Sequence, residues 1–299
     1  LGCYFGAEDD WKEEDVVQAV KDAISVGYRA LDVAAIYGTE PAVGKGIKAK
    51  IADGTVTRED IFITTKLSYT DYVTEKVKPA LERSLKNLDV DYIDLYLIHF
   101  PFAIIVEENA PAVLGPDTVL DQSYDHLKTW KVLEECVKEG KIRSIGISNF
   151  NSRQVQNMVD NAEIKPAVNQ IEIHPYLRNE KLVQFCQARG VTITAYTPLG
   201  QPHASWAKAG WVSPLQHPVM KELAEKYKKG VGQIALRYQI QRNITLTAKS
   251  SNPKRLAENL DVFDFEMSQE DMDKISALDK NDRINLFPPA AGHKEYPFK

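Results

Sequence analysis

No run of about eighteen apolar residues occurs anywhere in this 299-residue chain, so no segment is built to cross a bilayer as a helix. Cysteine is scarce. Cys3, Cys136 and Cys186 are odd in number and none belongs to a Cys-x-x-Cys pair, which excludes a disulfide framework and fits a reducing, cytoplasmic compartment. The chain starts Leu-Gly-Cys-Tyr, without a basic or apolar leader pattern, and reads as if it begins within an element. No Gly-x-Gly-x-x-Gly follows a strand-like run, and the stretch from Gly38 to Lys45 has one residue too many for a phosphate-binding loop. His-Glu-x-x-His is absent, and the six histidines are scattered (His99, His126, His174, His203, His217, His293). A metal site is therefore not expected, although barrel hydrolases do use histidines at strand ends. An excess of basic residues is missing too: the net charge is −5, which argues against nucleic-acid and membrane partners.

What the chain does have is a regular alternation of buried-looking strands and amphipathic helices, with 43% apolar residues to build one large core. Ile93 to Phe100 is almost wholly apolar, the pattern of a strand covered on both faces. It ends in His99, followed at once by Phe100 and Pro101. Two earlier strand-like runs end in polar residues as well. Ala30-Leu31-Asp32 places an acid at a strand end with Tyr37 five residues on, and Phe62-Ile63-Thr64-Thr65 leads to Lys66.

Further strands are predicted at 142–149, 167–172, 191–196 and 244–249. Helices are predicted at 14–26, 41–51, 74–88, 123–138, 153–160, 180–188, 218–229, 232–242, 256–260 and 269–278, before an irregular tail. Two long stretches lack periodicity: 102–121, with Pro111 and Pro116, and 201–218, with Trp206 and Trp211. Both are expected as loops on the functional rim. Seven strand–helix units after a stub at residues 1–5 predict an α/β fold, a (β/α)₈ barrel closed by that stub, as a single domain over 1–299. A barrel gathers strand ends at one rim, so Asp32, Tyr37, Lys66 and His99 are expected to converge there.

Such a quartet has a chemistry. A phenol with an ordinary pKa of about 10 is a poor acid near neutrality, and an adjacent ammonium is expected to lower it. Asp32 would keep Lys66 charged, and His99 would hydrogen-bond an oxygen above Tyr37, giving a device that protonates an oxygen on which negative charge develops. A barrel salt bridge between Asp32 and Lys66, with Tyr37 as an aromatic at a helix start, fits the same residues. The device carries no hydride of its own, which a cofactor must bring. Ser148, Asn149 and Gln170 at later strand ends suit a carboxamide, and Tyr196 offers a flat face for stacking. Lys249, Ser250, Asn252 and Arg255 before a predicted helix suit a phosphate.

These residues, read together with Gly27-Tyr28-Arg29-Ala30-Leu31-Asp32, Ala34-Ala35-Ile36-Tyr37-Gly38-Thr39-Glu40, Asp91 to His99, Gly140 to Phe150, Gln170-Ile171-Glu172, Tyr196 to Gly200 and Lys249 to Asn259, closely resemble the aldo-keto reductase family, and within it the aldose-reductase-like branch. The resemblance implies NADPH-dependent reduction of an aldehyde or ketone, with Tyr37, Lys66, Asp32 and His99 as the catalytic group. It implies that Ser148, Asn149, Gln170 and Tyr196 hold the nicotinamide, that Leu199 lines the pyrophosphate path, and that Lys249, Ser250, Asn252 and Arg255 grip the 2′-phosphate. Glu258 and Asn259 would face the adenine, and Tyr4 and Phe100 the substrate.

The sequence also departs from the family pattern. The opening hairpin does not precede Leu1, Tyr4, Ser68 and Phe100 stand where tryptophans are frequent, and Thr247-Ala248-Lys249 replaces Ile-Pro-Lys. The smaller wall residues imply a wider mouth, suited to long aldehydes or steroid-type ketones, in a monomeric enzyme. A non-catalytic relative that binds NADPH without turnover, or a metal-dependent barrel hydrolase, would be the alternatives.

Overall fold

The fold is a computed structural model that describes residues 1–6, 11–106, 114–201 and 210–298. Pro111 and Trp206 lie outside the described residues. In chain order, α1 (Glu13–Val26) buries Val16, Ala19, Val20, Ala23 and Ile24 on one stripe and stops at Gly27, whose φ of 115° only glycine adopts cheaply. β1 (Ala30–Asp32) follows, then a 3₁₀ turn over Ala35–Tyr37, α2 (Glu40–Ala52), β2 (Phe62–Leu67), α3 (Thr74–Leu88) and β3 (Ile93–Ile98). Every residue of β3 is buried, as expected of a strand covered on both faces.

After a short hairpin, β4 (Ile104–Ile105) and β5 (Val119–Leu120), the alternation resumes with α4 (His126–Lys138), β6 (Ile142–Ser148), α5 (Ser152–Asn161), β7 (Val168–Glu172), α6 (Glu180–Gln187) and β8 (Thr192–Tyr196). The last elements are α7 (Pro218–Tyr227), α8 (Val231–Gln241), β9 (Thr245–Thr247), α9 (Pro253–Leu260) and α10 (Gln269–Ser276).

Seven strands form one parallel sheet in the order β1-β2-β3-β6-β7-β8-β9. The remaining gap between β9 and β1 is closed by the N-terminal stub. Gly2 N–H donates to the Ala248 carbonyl at 3.0 Å, while Asp32 N–H donates to Leu1 O at 2.8 Å and Cys3 N–H donates to Asp32 O at 2.7 Å. The expected eighth strand is thus present, reduced to a parallel bridge at Gly2. Because every ladder of this seven-stranded sheet is parallel, all its strand C-termini open on one face.

Of the boundaries that differ from the sequence-based expectation, three have a local hydrogen-bonding cause. α9 begins at Pro253, not 256, because the Asn252 side chain accepts from Arg255 N–H and caps it. α4 begins at His126 rather than 123, where Asp125 caps it through Leu127 N–H. The stretch 102–121, expected as loop, pairs its two ends, Ile104 with Leu120 and Ile105 with Val119; two-residue strands are too short to show a period. Among the described residues no helix is long and apolar enough to cross a membrane.

Candidate active site

Asp32, Lys66 and His99 arrive from the ends of three adjacent strands, β1, β2 and β3, in register as parallel neighbours. Lys66 is 1% exposed, and its ammonium donates to Asp32 Oδ1 at 2.5 Å and to the Val33 carbonyl at 2.9 Å. Burial alone would strip its proton, but the Asp32 charge and the Tyr37 phenol outweigh it, and the Lys66 pKa ends above the ordinary lysine value. Tyr37 sits on the 3₁₀ turn after β1, which Gly38 closes at φ 69°. The Lys66 Nζ lies 5.2 Å from the centre of its ring.

The expected lowering of the Tyr37 pKa is not found. Burial pushes it up; Lys66 opposes through its charge and a hydrogen bond, while the Asp32 and Tyr4 charges add to the rise. The net effect is a phenol that holds its proton more firmly than in water. The cause is scale: desolvation acts on the whole phenolate, while one ammonium already paired with Asp32 has part of its field cancelled. His99 meets the Tyr37 ring edge-on, centroids 5.7 Å apart. Burial, reinforced by the Lys66 charge, keeps its pKa well below the ordinary histidine value, so the imidazole is neutral near pH 7 and retains one N–H to donate.

Gln170, expected beside a carboxamide, also makes a contact that the sequence did not reveal. Its amide donates to Asp32 Oδ2 at 2.7 Å, so both oxygens of that carboxylate are held, one by Lys66 and one by Gln170. The neighbouring polar groups form a chain. Ser148 Oγ donates to Gln170 O at 2.9 Å, Asn149 Nδ2 to His99 O at 3.1 Å, and the Tyr196 hydroxyl to Asn149 Oδ1 at 2.7 Å. Asn149 (φ 64°) and Thr197 (φ 54°), directly after β6 and β8, are both left-handed, a conformation that asparagine tolerates and that is strained for the β-branched Thr197. A bound carboxamide would exchange for some of these internal bonds, while the half-buried Tyr196 ring leaves a face to stack on.

The basic stretch lies at the start of α9. Lys249 and Arg255 are exposed as residues, and partial desolvation of the ammonium together with repulsion from Arg255 lowers the Lys249 pKa. Among the described residues Lys254 alone of these cations pairs with an acid, Glu258 at 3.9 Å. Two like charges without a counter-charge beside a helix N-terminus are what a phosphate monoester suits. Ser250 receives the Asn252 N–H at 3.1 Å, and the Lys249 ammonium caps the Phe5 ring at 4.8 Å. Leu199 and Asn259 flank Gly232, where an added Cβ would lie 3.8 and 4.0 Å from them.

At the mouth, the exposed Tyr4 packs against Tyr37 with ring centres 5.0 Å apart. Phe100 is buried behind His99, stacked at 4.5 Å, and Phe102, Tyr69 and the tail residue Phe287 complete an aromatic cluster around it. Phe287 gave no sequence signal, since it lies in an aperiodic tail. Among the described residues no group of three His, Cys, Asp or Glu gathers as metal ligands do.

A sequence model of the Aldo/keto reductase family matches residues 2–280. Among curated proteins, human aldo-keto reductase family 1 member A1 is 42% identical over 300 residues, covering 96% of this chain and 92% of that protein. Bovine prostaglandin F synthase 2 is 42% identical over 301 residues, covering 100% and 93%. Among solved structures, the Bombyx mori aldo-keto reductase in complex with NADP superposes with a TM-score of 0.89 at 41% identity, over 99% of this chain and 94% of that one. The Schistosoma japonicum aldose reductase gives 0.90 at 39%, over 100% and 94%.

Proposed function

The chain belongs to the aldo/keto reductase family, and on that premise we propose that it reduces an aldehyde or ketone to the alcohol, NADPH supplying the hydride and Tyr37 the proton. The observation that carries this reading is the convergence of Tyr37, Lys66, Asp32 and His99 at one barrel mouth, with Lys66 locked between Asp32 and the Val33 carbonyl. The donor set beside it fits the coenzyme: amide and hydroxyl groups on Ser148, Asn149 and Gln170, an aromatic face on Tyr196, and cations on Lys249 and Arg255 that meet no acid among the described residues. These cations favour NADPH over NADH, since only the former carries the phosphate they would meet.

The residues divide the proton work. Tyr37 keeps its proton through neutral pH because burial disfavours the phenolate. As negative charge builds on the substrate oxygen, Tyr37 gives that oxygen its proton, and the Lys66 ammonium stabilises the phenolate left behind. Asp32, itself held by Gln170, fixes the ammonium in place. Neutral His99 donates a hydrogen bond to the same substrate oxygen and so orients the carbonyl.

The exposed Tyr4 ring at the mouth, with Phe287 packed over the buried Phe100, supports a bulky apolar carbonyl, a long aldehyde or steroid-type ketone, and the name of the bovine relative, prostaglandin F synthase, agrees in character. We take residues 1–299 as one domain acting as a cytoplasmic monomer. NADPH oxidation measured across sugars, aliphatic aldehydes, quinones and steroid ketones tests the reading, with Tyr37→Phe alongside. The variant is expected to lose turnover while still quenching NADPH fluorescence. Turnover retained by Tyr37→Phe would mean a different proton donor.

A further inference from the structure

Glu40 has no part in the chemistry above, yet it is one of the most deeply buried carboxylates in the molecule, 2% exposed. It opens α2, three residues after Tyr37. Its Oε1 accepts from Thr65 Oγ1 at 2.8 Å and its Oε2 from Asn87 Nδ2 at 3.1 Å. Thr65 immediately precedes Lys66 on β2. Side chains alternate along a strand, so Lys66 turns into the barrel while Thr65 turns outward to the helices. One carboxylate therefore ties the strand that delivers the ammonium, the helix start behind the phenol, and α3.

A carboxylate only accepts hydrogen bonds, which matches two donors; a glutamine would turn one donor against another. Removing a carboxylate from water is costly unless its bonds are made, and the N-terminal turn of α2 favours negative charge there. A second observation shows why such a strut is needed. A crevice of about 180 Å³ lies behind the Tyr37 turn, with Glu40 and Asn87 themselves on its wall beside Ala35, Ile36, Ser68 and Thr70. Ser84, also on its wall, is 1% exposed. Close packing usually holds a turn against its neighbours; on this side there is a gap. The turn is instead held by side-chain bonds, from Glu40 on one side and from Thr39, whose hydroxyl donates to Cys3 O at 3.0 Å, on the other.

We infer that Glu40 is a positioning residue for the reaction: through Thr65 and Asn87 it sets the separation of the Tyr37 phenol from the Lys66 ammonium while touching neither. The inference rests on the reading of Tyr37 as proton donor. Thr65→Val removes only the hydroxyl at nearly constant volume, and Glu40→Gln removes the charge. Single-turnover carbonyl reduction is expected to slow about 10- to 100-fold in both, as misplacement near an ångström does elsewhere. The dissociation constant for NADPH, read by fluorescence quenching, is expected to stay within about two-fold, because the coenzyme residues lie on other strands.

The solvent deuterium isotope effect is expected to rise, since proton transfer is the step disturbed, and Thr65→Ser, which keeps the hydroxyl, is expected to recover most of the rate. Single-turnover rates within about two-fold of the unmodified protein in both variants would overturn the inference. So would a loss that follows the folded fraction in thermal melts with an unchanged isotope effect, which marks a structural role only. Should Tyr37→Phe, run in the same series, turn over normally, the proton-donor reading fails first and the Glu40 role with it.

Discussion

At the scale of single residues, the site turns on how a phenol with a raised pKa can still be an acid. Burial holds the proton on Tyr37; in the proposed reaction it would leave as charge develops next to it, with Lys66 stabilising the phenolate. The sign follows directly. With Tyr37 as the proposed proton donor, carbonyl reduction would need the protonated phenol, so its rate would be full below the Tyr37 pKa and lost above it. With that pKa raised above 10, kcat for reduction is expected to stay flat through neutrality and to decline only in strongly alkaline buffer; a basic limb between pH 7 and 8 would contradict this. The coenzyme end gives a second residue-scale expectation. Arg255→Ala is expected to raise the NADPH dissociation constant about 10- to 100-fold, the worth of a hydrogen bond to a charged group, and to leave NADH nearly untouched. Equal effects on both coenzymes would move the phosphate site elsewhere.

At the scale of elements, strand ends and the C-terminal tail share the work. Glu172 closes β7, fully buried, and its carboxylate accepts from Ile284 N–H at 2.7 Å, Asn285 N–H at 2.9 Å and Asn285 Nδ2 at 3.0 Å. Burial pushes its pKa up, but the His174 contact, the Ile284 N–H and Arg283 win, and it ends below the usual carboxylate value. The tail so anchored carries Phe287 to Phe100, centroids 4.7 Å apart, with Phe287 held left-handed at φ 50°. Glu172→Gln is expected to loosen this segment at a cost of about 1–3 kcal/mol, because an amide N–H would face backbone N–H groups. The expected readout is faster proteolysis beyond residue 282 and a raised KM for bulky carbonyls, with kcat on a short aldehyde little changed. An unaltered proteolysis pattern would mean the tail is held by other contacts.

At the scale of the whole molecule, the barrel is closed by three backbone hydrogen bonds from a stub that has almost no strand character of its own. Gly2→Pro deletes the donor to Ala248 and leaves a buried carbonyl unpaired, at about 1–3 kcal/mol. A fall in Tm of about 2–4 °C per kcal/mol is expected, with no change in KM for the carbonyl; an unchanged Tm would mean the stub does not close the barrel in solution.

The β3 strand, the His99 that ends it, and the Asp32, Tyr37 and Lys66 positions were legible in the linear sequence, because apolar runs that end in a polar residue report burial and a strand terminus without any knowledge of neighbours. The parallel alternation was legible for the same reason, since the hydrophobic period is a local property. Only the tertiary structure decided the rest. Gln170 turns to Asp32, Glu40 reaches Thr65 and Asn87, and Phe287 reaches Phe100 across separations of 25 to 187 residues. The direction of the Tyr37 pKa is of this kind too: a sequence names the nearby charge, but the weight of desolvation against it depends on how much water the folded chain removes.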